Sequence, residues 1–93
     1  MEISFDPTKR ESALRDRGLD FLDAAEVFAS HTYDWIDLRF DYGEERKITV
    51  GFLRGRMVVI VWTERPPARH VISMRKANDR EKAYYGELLA RPG

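Results

Sequence analysis

Residues 46–63, RKITVGFLRGRMVVIVWT, contain two predicted strands joined by a tight turn. In residues 46–52 apolar side chains alternate with polar ones, which is the pattern of a strand with one covered face. Residues 57–63 are apolar at nearly every position, which predicts a strand that is central or covered on both faces. The connecting LRGR at 53–56 is typical of a hairpin. We therefore expect an antiparallel pair of strands at the centre of the fold.

Two helices are predicted on the N-terminal side of this pair. Ile3–Phe5 can form a short edge strand, after which the Asp-Pro pair at 6–7 suits the start of a helix that ends near Gly18. A second helix, with Asp20 as its N-cap, is predicted over residues 21–29, because the apolar residues there are spaced to share one helix face.

Two more strands and a final helix complete the predicted order. His31–Leu38 precedes the central pair, and Arg69–Lys76 follows Pro66-Pro67, which cannot lie inside a strand ladder. Asn78 suits the N-cap of the final helix, with Glu81 as its capping-box partner. The order predicts an α+β domain with an antiparallel sheet of about four strands. We expect the helices on one face of the sheet and the other face free to bind a ligand.

Charge is distributed unevenly along the 93 residues, which are enough for a single domain spanning residues 1–93. The net charge is zero, but residues 1–38 hold 4 Lys/Arg and 9 Asp/Glu, a balance of −5, whereas residues 39–93 hold 12 and 7, a balance of +5. The asymmetry either marks a polyanion-binding surface or is ordinary solvated charge. There is no cysteine, no signal-peptide pattern and no apolar run of membrane-spanning length, so we expect a cytoplasmic protein without membrane contact.

The order and spacing of several motifs resemble the BrnT toxin family, which is itself similar in fold to the RelE-like ribonuclease toxins. The resemblance spans nearly the whole chain and rests on FDPTK at 5–9, Gly18, FLDAAEVF at 21–28, YGEER at 42–46, VIVWTER at 59–65, VISMRKA at 71–77, Glu81 and Tyr84. The chain departs from the family late in the first helix, at Ala13, Asp16 and Arg17. It also has His70, beside Arg69, where the family usually has an arginine, and either residue can take that arginine's place.

The resemblance implies a RelE-like fold and a toxin of a type II toxin–antitoxin system that cleaves RNA and inhibits translation. It also implies a BrnA-like antitoxin with a ribbon-helix-helix domain, which neutralises the toxin and through which alone the pair contacts DNA. We expect no cofactor and no metal, because two histidines far apart in the sequence and no cysteine do not make a zinc site.

Metal-independent RNA cleavage, in which the ribose 2′-OH attacks the adjacent phosphate, needs groups that move protons and cations that stabilise the phosphorane. Arginine binds phosphate bidentately, and histidine titrates near neutral pH. The candidate catalytic residues are therefore Arg46, Arg75, Lys76, Glu45 and His70. The candidate RNA-binding residues are Lys9, Arg65, Arg69, Ser73 and Tyr84. Each charged residue can instead be a solvated or paired surface charge, and Tyr84 or Tyr85 can belong to the core.

Alternation along the last predicted strand assigns its residues to faces. The open face is expected to hold Arg69, Val71, Ser73 and Arg75. The side toward the helices is expected to hold His70, Ile72, Met74 and Lys76. On that side His70 is either an acid–base residue or a hydrogen-bonded structural histidine. Arg46 shares the parity of Ile48 and Val50, which argues against a place on the open face.

An alternative function is a non-catalytic small binding module that docks a partner protein on the free sheet face. The zero net charge favours this alternative. So do the departures from the family pattern, which are Ala13, Asp16, Arg17 and His70.

Overall fold

The computed structural model describes residues 1–39 and 41–91 and contains a five-stranded sheet flanked by helices. In chain order the elements are β1 (Glu2–Phe5), α1 (Pro7–Arg17), a 3₁₀ turn (Phe21–Asp23), α2 (Ala24–Phe28), β2 (Tyr33–Ile36), β3 (Lys47–Leu53), β4 (Arg56–Arg65), β5 (Ala68–Lys76) and α3 (Asp79–Ala90). The strand order is β1-β5-β4-β3-β2, so β4 is central and the predicted α+β class is confirmed. Within the described residues, no helix is long and apolar enough to cross a membrane.

Strand β1 makes the sheet mixed, so the expectation of about four antiparallel strands is wrong in number and in direction. β1 pairs with β5 in parallel, from Glu2 opposite Ala68 to Phe5 opposite Val71, whereas the other pairs are antiparallel. The same strand departs from the RelE-like arrangement of two helices followed by an antiparallel sheet. A four-residue strand carries no sequence signal for a partner at the other end of the chain, which is why the pairing was not predicted.

The predicted hairpin at the centre of the sheet is confirmed. β3 and β4 pair along the whole of β3 and are joined by Arg54-Gly55. These two residues have φ values of 49° and 82°, which is the backbone of a type I′ turn and matches the twist of the flanking strands. Pro66-Pro67 connects β4 to β5 and lies outside both strands, as expected.

Helices pack on both faces of the sheet, which corrects the expectation that one face is free. On the α1 face, α1, the 3₁₀ turn and α2 cover a buried cluster that includes Phe21, Val27, Val58, Ile60, Trp62, Val71 and Met74. On the α3 face, helix α3 covers a second cluster that includes Ile48, Val50, Val59, Val61, Tyr85 and Leu89. β4 contributes to both clusters, which is why residues 57–63 are apolar at nearly every position.

A β-bulge in β5 changes the side-chain alternation halfway along that strand. Ser73 lies opposite Val61, but Val71 lies opposite Trp62, so Ile72 has no partner on β4. As a result Val71 and Met74, three positions apart, both belong to the core of the α1 face. The expected strict alternation is therefore wrong for Val71, which is fully buried, and Ile72 is only half-buried.

The predicted helix caps are confirmed. Asp6 accepts a hydrogen bond from the Thr8 amide at 2.8 Å, and Gly18 ends α1 with φ 67°. Asn78 and Glu81 form both hydrogen bonds of a capping box, at 2.8 and 2.9 Å. These contacts satisfy backbone groups that a helix end leaves without intrahelical partners.

The second predicted helix and the strand after it are shorter than expected. Asp20 accepts from the Leu22 amide at 3.0 Å, as an N-cap should, but residues 21–23 form a 3₁₀ turn and α2 covers only Ala24–Phe28. β2 is confined to Tyr33–Ile36 instead of residues 31–38. Asp37 ends it, because its carboxylate accepts from the backbone two residues on and thereby forms a turn.

Gly51 tests the packing of α2 on the sheet. A Cβ at residue 51 would lie 2.8 Å from Val27 Cγ1 and 3.0 Å from Thr32 Cγ2. We expect Gly51→Ala to lower the free energy of unfolding, measured in urea, by about 1–3 kcal/mol, because overpacking strains this interface. The matched control is Gly86→Ala in α3, whose Cβ would have its nearest neighbour at 3.9 Å. That variant should gain about 0.5–1 kcal/mol from helix propensity. A Gly51→Ala protein as stable as the control would contradict this packing.

Candidate functional site

Polar side chains cross the α3 face in one row, beyond the apolar residues that pack against α3. The strand register places Thr63 opposite His70 and His70 opposite Ser4. Arg46 directly precedes β3, and its carbonyl accepts a hydrogen bond from the Asp37 amide at 2.8 Å, which continues the row past β3. We call these residues the polar row: Ser4, His70, Thr63, Arg46 and Asp37.

The bulge in β5 sorts the predicted residues of this strand between the two faces. Ser73 and Arg75 lie on the α3 face, and so does His70, which the sequence had placed toward the N-terminal helices. Arg69 lies on the α1 face, where its guanidinium stacks 4.3 Å from the Trp62 ring centroid. The expected open-face row of Arg69, Ser73 and Arg75 is therefore wrong for Arg69. His70 is also wrongly placed by strict alternation, because the bulge intervenes between it and Ser73.

His70 is held by Ser4, and charges of both signs act on it, from Arg65 and Lys9 and from Glu44 and Asp6. Its Nδ1 is 2.9 Å from Ser4 Oγ. Burial lowers the pKa of His70 below its ordinary value, and the charges of Arg65 and Lys9 lower it further, while Glu44 acts in the opposite direction. The imidazole is therefore neutral at neutral pH, and a neutral imidazole can accept a proton.

Arg46 is a half-buried cation with no carboxylate in ion-pair distance within residues 1–39 and 41–91. Its guanidinium carbon lies 3.9 Å from the centroid of the Tyr42 ring, and its Nε is buried without a hydrogen-bond partner in the same part of the chain. The parity that Arg46 shares with Ile48 and Val50 places it on the α3 face, because those two residues pack against α3. A half-buried guanidinium without a counterion is suited to bind an anion.

Asp37 fixes the loop that carries Arg39 and Tyr42. Its buried carboxylate accepts two hydrogen bonds from the Arg39 guanidinium, both at 2.8 Å, one from the Arg39 amide at 3.1 Å and one from the Tyr42 hydroxyl at 3.2 Å. These donors, the Arg39 side chain foremost, hold the pKa of Asp37 far below its ordinary range. Because Arg46 stacks on the ring of Tyr42, Asp37 positions Arg46 as well as Arg39.

Arg75 forms a bidentate ion pair with Glu81 at the start of α3. The two terminal nitrogens of Arg75 donate to the two carboxylate oxygens at 2.7 and 2.8 Å. This pairing, more than any other contact, lowers the pKa of Glu81 to about 2. The same pairing raises the pKa of Arg75, whereas the charge of Arg39 lowers it.

The side chains of Glu45 and Lys76 lie apart from the polar row, although the Glu45 carbonyl accepts a hydrogen bond from Thr63 Oγ1 at 2.7 Å. The Glu45 carboxylate is 4.0 Å from Lys47 Nζ, which lies 5.2 Å from the Trp62 ring centroid on the α1 face. Lys76 lies opposite Val58, whose side chain belongs to the α1 face, and it is exposed. The structure therefore does not bring either residue together with Arg46, His70 or Arg75.

The remaining predicted residues lie around the polar row. Arg65 is 3.2 Å from Glu44 and close enough to His70 to affect its pKa, as is Lys9 on α1. Tyr84 is exposed and contacts Tyr85 edge-on, whereas Tyr85 stacks on Trp35 with 5.3 Å between ring centroids. Tyr85 is thus the core tyrosine that the helical spacing allowed.

Sequence reasoning missed part of this arrangement. It did not single out Ser4, Asp37, Arg39, Tyr42 or Thr63 as members of a site. Ser4 required the parallel pairing of β1, and the loop residues required the contacts of one buried carboxylate. Only Thr63 carried a signal, since it shares the α3 face with Val61 by simple alternation in β4. Within the described residues, no group of three or more His, Cys, Asp or Glu is placed to hold a metal ion.

The family comparison decides the identity of this fold. The profile described as "Ribonuclease toxin, BrnT, of type II toxin-antitoxin system" matches residues 5–81, which include Arg46, His70, Arg75 and Glu81. The chain belongs to the BrnT family. The resemblance found in the sequence is thereby confirmed, and a BrnT toxin of a type II system has an antitoxin as its partner.

A solved structure agrees with the family match. The chain is similar to the ribonuclease toxin BrnT of Brucella abortus, with 28% sequence identity and a TM-score of 0.67, over 85% of this chain and 99% of that one. No curated protein matches the chain. The fold of this chain, with its five-stranded mixed sheet and three helices, is thus similar to that of the Brucella toxin.

The environment of His70 predicts its titration. We expect NMR titration of the folded protein to give a His70 pKa below 6.5, because burial and the charges of Arg65 and Lys9 disfavour the imidazolium. Arg65→Gln removes one of those charges and should raise the pKa. Arg56→Gln makes the same charge change at the opposite end of β4 and should leave it unchanged. A His70 pKa above 6.5 would contradict this description of the His70 environment. So would a His70 pKa that does not change in the Arg65→Gln variant.

Proposed function

We propose that this BrnT-family chain is a metal-independent endoribonuclease that inhibits translation, and that its catalytic site lies on the α3 face. The observation that carries the proposal is the pairing of two unusual groups there. Arg46 is a half-buried cation that lacks a carboxylate partner within the described residues, and His70 is neutral in the same polar row. They flank Thr63, so their backbones are about 10 Å apart, two strand spacings.

His70 acts in the proposed reaction as the general base. With its Nδ1 proton donated to Ser4 Oγ, the Nε2 lone pair takes the proton of the ribose 2′-OH. The bond from O2′ to phosphorus forms, the bond from phosphorus to O5′ breaks, and the leaving 5′ oxygen takes a proton from water. The products are a 2′,3′-cyclic phosphate and a 5′-hydroxyl end.

Arg46 and Arg75 stabilise the charge that develops on the phosphorane. Arg75 must first exchange the Glu81 carboxylate for the phosphate, because both anions use the same two donors. The exchange replaces one bidentate anion by another, so the hydrogen bonds that Arg75 gives up on Glu81 are formed again on the phosphate. Glu81 keeps its hydrogen bond from the Asn78 amide after Arg75 leaves.

Lys9, Arg65, Ser73 and Tyr84 are proposed to bind RNA around this site. Lys9 and Arg65 both lie near His70, Ser73 shares its face, and Tyr84 has an exposed ring on which a base can stack. Glu45, Lys76 and Arg69 are left out of the proposed site because they belong to the α1 face.

The partner is proposed to be a BrnA-like antitoxin with a ribbon-helix-helix domain. Its DNA-binding domain would supply the only DNA contact of the pair. Two features of the chain itself support this division. Its N-terminal 38 residues have a charge balance of −5, and an acidic surface repels a duplex. None of the helices in the described residues carries a basic stripe that suits a major groove.

A non-catalytic docking module is the second candidate function. The observation that favours it is that two of the predicted cations, Arg65 and Arg75, already have carboxylate partners in Glu44 and Glu81. A surface of paired charges recognises a protein partner without performing chemistry. Such a protein would bind its antitoxin and leave RNA intact.

Cleavage of labelled RNA in the presence of EDTA separates these functions. The wild-type protein should cleave, and His70→Gln, Arg46→Gln and Arg75→Gln should each lower kcat/KM by roughly 10²-fold or more, since each removes a group that acts in the transition state. Arg56→Gln, which removes one charge at the distant hairpin, is the matched control and should retain full activity. Circular dichroism establishes that each variant is folded.

Three results would contradict the proposed ribonuclease site. The first is intact RNA after incubation with folded wild-type protein, and the second is cleavage that EDTA abolishes. The third is full activity of the three site variants. Intact RNA together with tight antitoxin binding would establish the docking module instead.

A further inference from the structure

A groove of about 320 Å³ lies between α1 and the outer edge of β5. It exists because β1 pairs with β5 only as far as Val71, so α1 replaces a strand along the rest of that edge. Arg17 of α1 donates to the Met74 carbonyl at 3.0 Å and thereby joins the helix to the strand edge. Ile72, the bulged residue, and Ser73 form the β5 side of the groove.

The groove combines an apolar floor with polar walls. Its apolar lining residues, here called the floor, are Ala13, Phe21 and Ile72, and its polar lining, here called the walls, includes two cations and three hydroxyl groups, from Lys9, Arg17, Thr8, Ser12 and Ser73. Asp16 also lines it, but its carboxylate pairs with Arg15 at 3.2 Å. The lining therefore has apolar surface for a ring, hydroxyls for a sugar and positive charge for a phosphate.

The groove is continuous with the proposed catalytic site. Ser73 lines the groove and also lies on the α3 face, opposite Val61. Lys9 lines the groove and is close enough to His70 to lower its pKa. A chain bound at His70 therefore reaches the groove around the edge of β5, past Ser73.

We propose that this groove binds the nucleotide next to the scissile phosphate of single-stranded RNA, with its base on the apolar floor and its phosphate on Lys9. The inference rests on the proposed ribonuclease function and extends it to a binding subsite. A single-stranded nucleotide can turn its base out onto such a surface, whereas a base in a duplex cannot.

An added protein strand is the competing occupant, because in the described part of the chain no strand pairs with the outer edge of β5 beyond Val71. Arg17 disfavours an added strand, because its guanidinium already donates to the Met74 carbonyl that such a strand would need as an acceptor. The two cations and three hydroxyls also match a nucleotide better than a peptide backbone, which needs no charge.

The test measures binding of a fluorescein-labelled, 2′-fluoro octanucleotide, which cannot be cleaved by 2′-OH attack, to the full chain by anisotropy. Ser12→Leu fills the groove without changing charge. It should raise Kd about tenfold, because the protein then loses its contact with one base. Ala90→Leu, which adds the same side chain at an exposed position at the end of α3, is its matched control and should bind as wild type does. Lys9→Gln should lower the slope of log K against log salt by about 0.7, the loss of one phosphate contact to a single strand. Arg56→Gln should not change that slope.

The outcomes separate the groove from the ribonuclease function. If Ser12→Leu and Lys9→Gln both bind the octanucleotide as wild type does, the groove proposal is wrong, even if ordinary RNA is cleaved. If they weaken binding but wild-type protein leaves ordinary RNA intact, the groove proposal holds and the ribonuclease function fails. If the variants keep RNA affinity and lose affinity for the antitoxin, the groove is a protein-docking site and the proposal is overturned. If Ser12→Leu does not fold, the salt slope of Lys9→Gln alone decides whether the proposal stands.

Discussion

One extra residue in β5, Ile72, decides which side chains share a face in this protein. Between the positions opposite Val61 and Trp62, β5 contains Ile72 without a partner. Without it, strict alternation would place His70 on the opposite face from Ser73 and Arg75. With it, all three lie on the α3 face, and Val71 and Met74 both remain in the core of the α1 face. The bulge thus allows one strand to place apolar side chains in the core of the α1 face and polar side chains on the α3 face.

The coverage of the α3 face explains where the site lies. Helix α3 packs on the apolar residues of β3 and β4 through Tyr85 and Leu89, and the polar row lies beyond them. The loop after β2 reaches this end of the sheet and is held there by the buried carboxylate of Asp37. Arg46 is consequently enclosed by protein without acquiring a counterion from the described residues. Arg69 on the α1 face is also half-buried and stacked on aromatic rings, but within residues 1–39 and 41–91 the buried side-chain nitrogen without a hydrogen-bond partner belongs to Arg46.

Local signals in the sequence predicted the local structure of this chain well. Asp6, Gly18, Asn78 and Glu81 fixed helix ends because capping depends on neighbouring residues, and alternation in β3 and β4 predicted the central hairpin. The parallel partner of β1 and the bulge were not predictable, because both depend on contacts between distant segments. The errors at the site follow from these two: Arg69 and His70 were placed by a parity that the bulge reverses, and Ser4 was missed with β1. Arg46, His70 and Arg75 were identified as candidates by residue type and family resemblance, while their common face required the structure.

The most direct test of the account is an NMR titration of the arginine Nε–Hε signals with a non-cleavable single-stranded RNA. Each arginine gives its own signal, so the spectrum reports which face of the sheet binds. The account predicts that the Arg46 and Arg75 signals shift on titration and that the Arg69 signal, on the α1 face, does not. If instead the Arg69 signal shifts while the Arg46 and Arg75 signals do not, the account is contradicted, because RNA would then bind the face opposite to the polar row.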